Sequence, residues 1–175
     1  MLFFIYSVDK IILSLYYNYS VDTRKEESDN MNREIYDKQS SICNCINLRR
    51  GSQAITEVYD EMLAPSGLKI SQYLLLKTVK ELGPVSVSNL AIEIRLDRTT
   101  IVRSLKPLED RELITDISAT GARNRELKLT DKGLEILKIA SPLWLEAQNF
   151  MESYLGKEEV KTLNTLLSKI EALVP

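Results

Sequence analysis

The stretch LAIEIRLDRTTIVRSLKPLEDRELI, residues 90–114, decides the fold of this chain. It begins as a short apolar helix, and after a tight turn Asp97 lies where the N-cap of a second helix is needed. The second helix is expected over residues 98–109, and three apolar residues recur on one of its faces: Ile101, Leu105 and Leu108. Two short helices joined by a tight turn are typical of a helix-turn-helix motif.

The opposite face of the second helix has the chemistry of a DNA-reading surface. Its polar residues are Arg98, Thr99, Thr100, Arg103, Ser104 and Lys106. Arginine donates paired hydrogen bonds to guanine, threonine contacts a thymine methyl group or a phosphate, and lysine binds phosphates. The acidic residues that follow lie at the far end of the helix, where it would leave the groove. This pattern favours contact with double-stranded DNA over a merely solvated face of mixed charge.

A β-hairpin is predicted after the second helix. Residues 113–117 and 126–130 show partial alternation of apolar and polar side chains, and the polar segment between them has Gly121 at its tip. Arg123 and Arg125 lie on the returning side of that tip. Because the minor groove of DNA has a negative potential that attracts arginine, we expect both side chains to contact DNA.

Helices are also predicted before this unit. Residues 41–64 have apolar positions at three- and four-residue steps, which indicates an amphipathic helix of about six turns. Ser71 is expected to cap the next helix, which ends at Gly83. Val85 is expected to form a very short strand, and Ser86 to cap the first helix of the helix-turn-helix.

Two further helices are predicted after the hairpin. Thr130 is expected to cap a long helix that runs to about Tyr154, and residues 157–174 are expected to form the last helix. The last helix has apolar residues at alternating steps of three and four: Val160, Leu163, Leu167, Ile170 and Val174. This spacing is typical of a seam that pairs with another helix, and equally of an ordinary core-facing helix.

The composition excludes several classes of protein. The 175 residues include 23 Lys and Arg, 25 Asp and Glu, two Cys and no His. Without histidine, serine-hydrolase triads and histidine-bearing zinc sites are excluded, and two cysteines are too few for a four-cysteine metal site. The glycines form no phosphate-binding loop. We therefore expect no metal, no cofactor and no enzymatic activity.

The net charge of −2 does not describe the predicted DNA-reading unit. Residues 95–130 carry 8 basic and 6 acidic groups, and they form the only segment with a positive balance. The acidic excess lies before and after this unit, so the overall charge does not argue against a local DNA-binding surface.

Residues 1–40 form an N-terminal extension. Half of the twelve aromatic residues of the chain lie within residues 1–20, and residues 22–30 are rich in charge, Ser and Asn. No basic segment precedes the apolar run and Asp9 interrupts it, so we expect neither a signal peptide nor a membrane span. A weakly ordered tail or an upstream start is expected, with an amphipathic helix as the alternative. The protein is expected to be cytoplasmic and not to bind a membrane.

Two stretches of the chain resemble the winged helix-turn-helix of the MarR family of bacterial transcription regulators: residues 90–114 and the hairpin end ARNRELKLTDKG, residues 122–133. Their motifs LDRTT, KPLE and LTDKG have the order and spacing of that family. Two further stretches are similar to one branch of it: CNCINLRRGSQAITEVYDEMLAPSGL, residues 43–68, and SPLWLEAQ, residues 141–148.

The resemblance implies a mainly α fold (α+β), a winged helix-turn-helix with long N- and C-terminal dimerisation helices. It implies one domain at 41–175, in which the DNA-binding lobe spans about 70–130 and the dimerisation helices about 41–64 and 131–174. It also implies a homodimer that represses transcription by binding a pseudo-palindromic DNA operator. The alternative is a winged-helix protein-interaction module without sequence-specific DNA binding.

Four positions depart from the family pattern. Family members usually have glycine where this chain has Arg95 and Glu112, so either both keep φ > 0 at a cost of about 1 kcal/mol each or the turns are remodelled. The aspartate that usually braces the wing arginine falls at Gly121, which leaves Arg123 less fixed. Pro107 lies inside the second helix and is expected to kink its last turn.

The resemblance also implies release from DNA by a small aromatic ligand or by cysteine oxidation. Cys43 and Cys45 are the redox candidates, and the nearby Arg49 and Arg50 would favour a thiolate. An i, i+2 pair on a helix is poorly placed for a mutual disulfide, whereas a bond between subunits or a sulfenic acid is feasible. Small packing residues without a redox role are the alternative.

A ligand pocket is the other route to regulation. Tyr59, Tyr73 and Trp144, together with Phe150, are the candidates to line a pocket for an aromatic effector. Aromatic residues at helical spacing are also typical of an ordinary core, and a regulator with no effector beyond DNA is a third alternative.

Overall fold

The structure is a computed structural model that describes residues 40–119 and 124–173. The predicted extension up to residue 39, the hairpin tip at Gly121 and the side chain of Arg123 lie outside the described residues. The chain divides into two compact units between Arg50 and Gly51, inside the first helix.

The described elements are mostly helical, and their order is that of a winged helix-turn-helix. They are α1 (Asn44–Leu63), a 3-10 turn (Ala64–Ser66), α2 (Ile70–Leu82), β1 (Val85–Ser86), α3 (Val87–Ile94), α4 (Arg98–Asp110), β2 (Ile114–Asp116), β3 (Glu126–Leu129), α5 (Asp131–Leu155) and α6 (Lys157–Glu171). The predicted mainly α fold with a small sheet is therefore confirmed. None of the helices in the described parts is long and apolar enough to cross a membrane.

The sheet has three antiparallel strands in the order β1-β3-β2. Val85 of β1 pairs with Leu127 of β3, and Ile114 of β2 pairs with Leu129 on the other side of β3. The predicted hairpin and the predicted short strand at Val85 are both confirmed. The wing is therefore anchored to the chain that enters α3, next to the helix-turn-helix.

The lobe of residues 70–130 has a core of apolar residues from its helices and strands. The most completely enclosed are Leu76, Leu90, Ile101, Leu105, Leu108, Leu113 and Leu127, each with 0% exposure. The predicted apolar face of the second helix, Ile101, Leu105 and Leu108, is thus confirmed as the side of α4 that packs into the lobe.

Local caps define three of the helix starts. Ser86 accepts a hydrogen bond from the backbone N of Asn89 at 3.1 Å, and Thr130 accepts one from the backbone N of Gly133 at 3.0 Å. Asp97 does the same for the backbone N of Thr100 at 2.9 Å. All three predicted caps are confirmed.

The predicted cap at Ser71 is wrong, because the N-cap residue of α2 is Lys69, two residues earlier, and the helix begins at Ile70. The backbone N of Ile70 donates to Oδ1 of Asp60 at 2.7 Å, so a carboxylate from α1 satisfies the start of α2. In addition, Gln72 accepts from the backbone N of Lys69 at 3.0 Å. A side chain ten residues away therefore replaces the local serine.

Both positions where glycine is usual adopt the left-handed conformation. Arg95 has φ 57° and Glu112 has φ 58°, so the turns keep the glycine geometry and are not remodelled. Helix α4 continues through Pro107 to Asp110. The last helix, α6, ends at Glu171 rather than at residue 174, and none of its residues is buried.

Candidate DNA-binding surface

The exposed side of α4 presents the basic and hydroxyl groups predicted from the sequence. Arg98, Thr99, Arg103 and Lys106 are exposed, and Thr100 and Ser104 lie half-buried at the margins of this face. Because the three residues on the opposite side of α4 are fully enclosed, the helix has one fixed orientation in the lobe. The structure also places Val102 on this exposed face, a residue that the sequence analysis did not single out.

The N-terminus of α4 is stabilised by Asp97 and Thr100. In addition to the backbone bond, the Thr100 hydroxyl donates to Oδ2 of Asp97, so it is already engaged in the cap. This side-chain bond is the main cause that holds the pKa of Asp97 below its usual value, followed by the backbone bond, with the charge of Arg103 as a smaller contribution. The carboxylate therefore stays ionised and positions the first turn of α4.

The cations of the surface differ in their partners. Lys106 is 3.2 Å from Asp110 in an exposed i, i+4 pair, which contributes little free energy. Across residues 40–119 and 124–173, neither Arg98 nor Arg103 forms an ion pair with a carboxylate. Two guanidinium groups on α4 are thus available to an anionic partner.

Arg125 lies at the base of the wing and is held by two carboxylates. Its Nε donates to Oδ2 of Asp116 at 2.8 Å, and its Nη2 donates to Oε1 of Glu109, at the end of α4. Sequence reasoning missed both partners, because they come from two other elements. The one available signal was an arginine and an aspartate at the facing ends of the two hairpin strands.

Asp116 organises the start of the wing beyond its bond to Arg125. Its Oδ1 accepts from the hydroxyl of Ser118 at 2.6 Å and from the backbone N of Ser118 at 2.9 Å. These bonds, the hydroxyl one first, lower the pKa of Asp116. The backbone N of Glu126 also donates to this carboxylate, at 3.3 Å, so Asp116 bridges the two strands.

Two contacts fix the end of α4 to the rest of the lobe. Nη1 of Arg111 donates to the carbonyl oxygen of Gly67 at 2.9 Å, and the hydroxyl of Thr130 donates to the carbonyl oxygen of Glu112 at 2.7 Å. At the other end of α4, Nη1 of Arg95 is 2.6 Å from Oε2 of Glu171, so the helix-turn-helix turn also contacts α6.

The candidate pocket residues are engaged in packing. Tyr73 is 2% exposed and stacks on Trp144 with ring centroids 5.8 Å apart. The hydroxyl of Tyr59 accepts from Nε2 of Gln148 at 2.6 Å, and burial raises the pKa of Tyr59 while this bond opposes the increase. Phe150 stacks on Tyr154 instead. The described conformation therefore uses these rings as core or surface packing.

The two cysteines lie at the start of α1, and both are exposed free thiols. The carbonyl oxygen of Cys43 accepts from the backbone N of Asn47 at 3.2 Å, and its own backbone N donates to the hydroxyl of Ser41 at 3.1 Å. Cys45 follows within the first turn of the helix. Both sulfurs are thus accessible to solvent in the chain.

Comparisons with known proteins agree with this geometry. The model of the MarR family matches residues 68–117. Over 131 residues the chain is 30% identical to the HTH-type transcriptional regulator MgrA of Staphylococcus aureus, covering 72% of this chain and 86% of MgrA. Over 104 residues it is 32% identical to the uncharacterised HTH-type transcriptional regulator YxaD of Bacillus subtilis, covering 59% of this chain and 73% of YxaD.

A solved structure shares the fold as well. The transcriptional regulator MosR of M. tuberculosis, in a crystal structure with DNA, superposes with a TM-score of 0.65 and 29% sequence identity, covering 76% of this chain and 99% of MosR. A helix-turn-helix with an exposed basic face and an antiparallel wing defines a class, the winged-helix DNA-binding transcription regulators. Within that class, the chain belongs to the MarR family. It is therefore a transcription regulator and not an enzyme.

Proposed function

We propose that this chain is a sequence-specific repressor that binds a pseudo-palindromic DNA operator as a homodimer in the cytoplasm. The observation that carries the proposal is the face of α4, where Arg98 and Arg103 are exposed without a carboxylate partner in the described parts. A helix fixed by a buried apolar side enters the major groove with its guanidinium groups aimed at base edges. Thr99 and Ser104 supply hydroxyl donors beside them, and Lys106 binds phosphate.

The two arginines of the wing have different roles in this proposal. Arg125 is paired with Glu109 and Asp116, so it positions the wing against α4. It contacts DNA only at the edge of the proposed interface. Arg123 is the residue proposed to enter the minor groove, where the negative potential favours a guanidinium group.

The exposed apolar residues of α6 support a homodimer. Leu166, Leu167 and Ile170 have exposures of 50%, 37% and 41%, and Leu173, two residues after the end of α6, has 79%. A row of apolar residues that the described parts of the chain leave exposed is typical of an interface between proteins. In the proposed complex the two copies of α4 lie one DNA turn apart, about 34–36 Å, and the twofold symmetry of the dimer makes the operator pseudo-palindromic.

Release from the operator is proposed to follow thiol oxidation or the binding of a small aromatic ligand. The exposure of Cys43 and Cys45 favours the first route, in which hydrogen peroxide oxidises one thiol to a sulfenic acid and is itself reduced to water. The second route requires Tyr73 and Trp144 to separate, because they stack on each other in the described conformation.

The double variant Arg103→Ala, Arg123→Ala tests the proposed binding mode. It should abolish the electrophoretic shift of DNA from the protein's own promoter and leave the dimer mass in sedimentation unchanged. Lys138→Ala, which removes an exposed charge from α5, is the matched control and should bind as the wild type does. Undiminished binding by the double variant would contradict the proposed mode.

The alternative is a protein-interaction module that uses the same basic face on an acidic protein surface. Salt-sensitive binding to a protein partner, combined with equal affinity for all DNA sequences, would favour this alternative.

The sign of regulation needs a separate test. A reporter gene placed behind the bound promoter gives this sign, because a repressor lowers expression.

A further inference from the structure

Val102 is an apolar side chain on the proposed DNA-facing side of α4 whose exposure the lobe does not explain. It is 43% exposed, whereas Ile101, Leu105 and Leu108 in the same helix are fully enclosed. A valine that contributed only to the core would be enclosed with them. Its methyl groups are instead exposed to solvent, between the positions of Arg98 and Lys106 on the helix surface.

The spacing of α4 sets Val102 among the groups proposed to contact DNA. It follows Arg98 by four residues and precedes Lys106 by four, so the three side chains form one row along the helix. Thr99 and Arg103 lie on the adjacent row. When Arg98 contacts base edges, as proposed, its neighbour Val102 faces the same part of the major groove.

The chemistry of valine selects one feature of that groove. Thymine presents a C5 methyl group in the major groove, and apolar side chains contact it favourably. A β-branched side chain has essentially one rotamer in a helix, so it loses little entropy when the contact forms. Of the two threonines on this face, Thr100 already donates its hydroxyl to Asp97 and belongs to the cap.

We propose that Val102 is a specificity-determining residue that recognises a thymine methyl group in each half of the operator. The proposal rests on the proposed function, since it requires α4 to enter the major groove. It adds that affinity at one thymine position depends on a methyl–methyl contact and not on a hydrogen bond.

Deoxyuridine tests the proposed methyl contact of Val102 directly, because it differs from thymidine only by lacking the C5 methyl group. The probe is a short duplex that the wild-type protein enriches from a random pool, with each thymine replaced in turn by deoxyuridine. At one position in each half-site, the replacement should weaken wild-type binding by about fourfold, the effect of one buried methyl group. Val102→Ala should bind the thymine and uracil duplexes equally, and its melting temperature should confirm that it folds, since alanine suits a helix.

Ile92→Ala is the matched control, because Ile92 is an apolar side chain with 74% exposure on the preceding helix. This variant should discriminate thymine from uracil as the wild type does. Equal wild-type affinity for thymine and uracil at every position, or discrimination retained by Val102→Ala, would overturn the role of Val102 and leave the proposed function standing. Failure of the wild type to enrich any sequence would overturn both.

Discussion

The Nε of Arg125 is 2.8 Å from Oδ2 of Asp116, so one ion pair joins the residue just before β3 to the last residue of β2. The same guanidinium group also donates to Glu109 at the end of α4. One side chain therefore holds the base of the wing against α4. Because a guanidinium group is planar and its donors are fixed, it sets the direction of the wing as well as its attachment.

Replacing Arg125 tests this connection. Arg125→Ala should lower the free energy of unfolding in urea by about 1 kcal/mol, a modest value because the side chains are partly exposed, and it leaves Glu109 and Asp116 without their cation. Arg125→Lys should recover only part of the loss, because an ammonium group does not bind both carboxylates in a fork. Lys128→Ala, in the strand β3 that follows Arg125, is the control, and an equal loss of stability there would argue against a specific role of Arg125.

The LTDKG motif ends in a glycine because of close packing at the start of α5. A Cβ atom on Gly133 would overlap the carbonyl oxygen of Leu113, a backbone atom that cannot move aside without distorting the wing. Gly133→Ala should therefore destabilise the fold by about 1–3 kcal/mol, as overpacking does. Thermal unfolding followed by circular dichroism measures the effect.

Gly51→Ala is the counterpart of that substitution. Gly51 lies in α1, and a Cβ atom there meets nothing within 4 Å. The substitution should stabilise the protein by up to about 1 kcal/mol, the difference in helix propensity between alanine and glycine. If both glycine substitutions changed stability in the same direction, steric overlap would not be the reason for Gly133.

Glu112 retains the left-handed conformation of a glycine position without being glycine. Glu112 lies two residues after the end of α4 and has a φ of 58°. Its ion pair with Lys132 at 3.6 Å is highly exposed and weak. Glu112→Gly should raise the free energy of unfolding by about 0.5–1 kcal/mol through relief of strain. Glu135→Gly, on the exposed side of α5, should instead lower it by about 1 kcal/mol. A loss of stability in both variants would show that φ at position 112 is not strained.

The ionised cap at Asp97 should make the stability of the protein depend on pH through the start of α4. Because its pKa is lowered in the folded protein, the ionised carboxylate contributes stability that is fully present above its ordinary value of 3.8 and is lost as the pH falls below it. Asp97→Asn keeps a capping oxygen but has no charge to lose. The wild type should therefore have the higher melting temperature at neutral pH, and the difference should shrink below pH 3.8. A difference that did not change with pH would rule out the ionised cap.

Much of the fold could be predicted because its signals are local. Ser86, Asp97 and Thr130 each cap a helix through a backbone N–H three residues away, and such bonds depend only on nearby sequence. The buried face of α4 follows in the same way from helical spacing. These local features are enough to predict the helix-turn-helix and the start of α5 without any tertiary contact.

The features that escaped prediction depend on residues far apart in the chain. Asp60 caps α2 from ten residues away, and Glu109 binds Arg125 across sixteen. The periodic spacing of residues in the sequence does not indicate such contacts, because they form only when the elements pack together. Val102 was missed for a different reason, because only polar residues were assigned to the exposed face of α4 and Val102 is apolar.

The proposed contacts with phosphate and bases come mainly from four cations in each subunit: Arg98, Arg103, Lys106 and Arg123. In a homodimer they amount to about eight, which predicts a slope near −7 for log K against log salt. The most direct test of the central claim is this slope, measured by fluorescence anisotropy for the wild type and for the double variant Arg98→Ala, Arg103→Ala. The wild type should give about −7 and the variant, with about four fewer cations, about −4. Equal slopes for the two proteins would contradict the claim that the exposed face of α4 binds DNA.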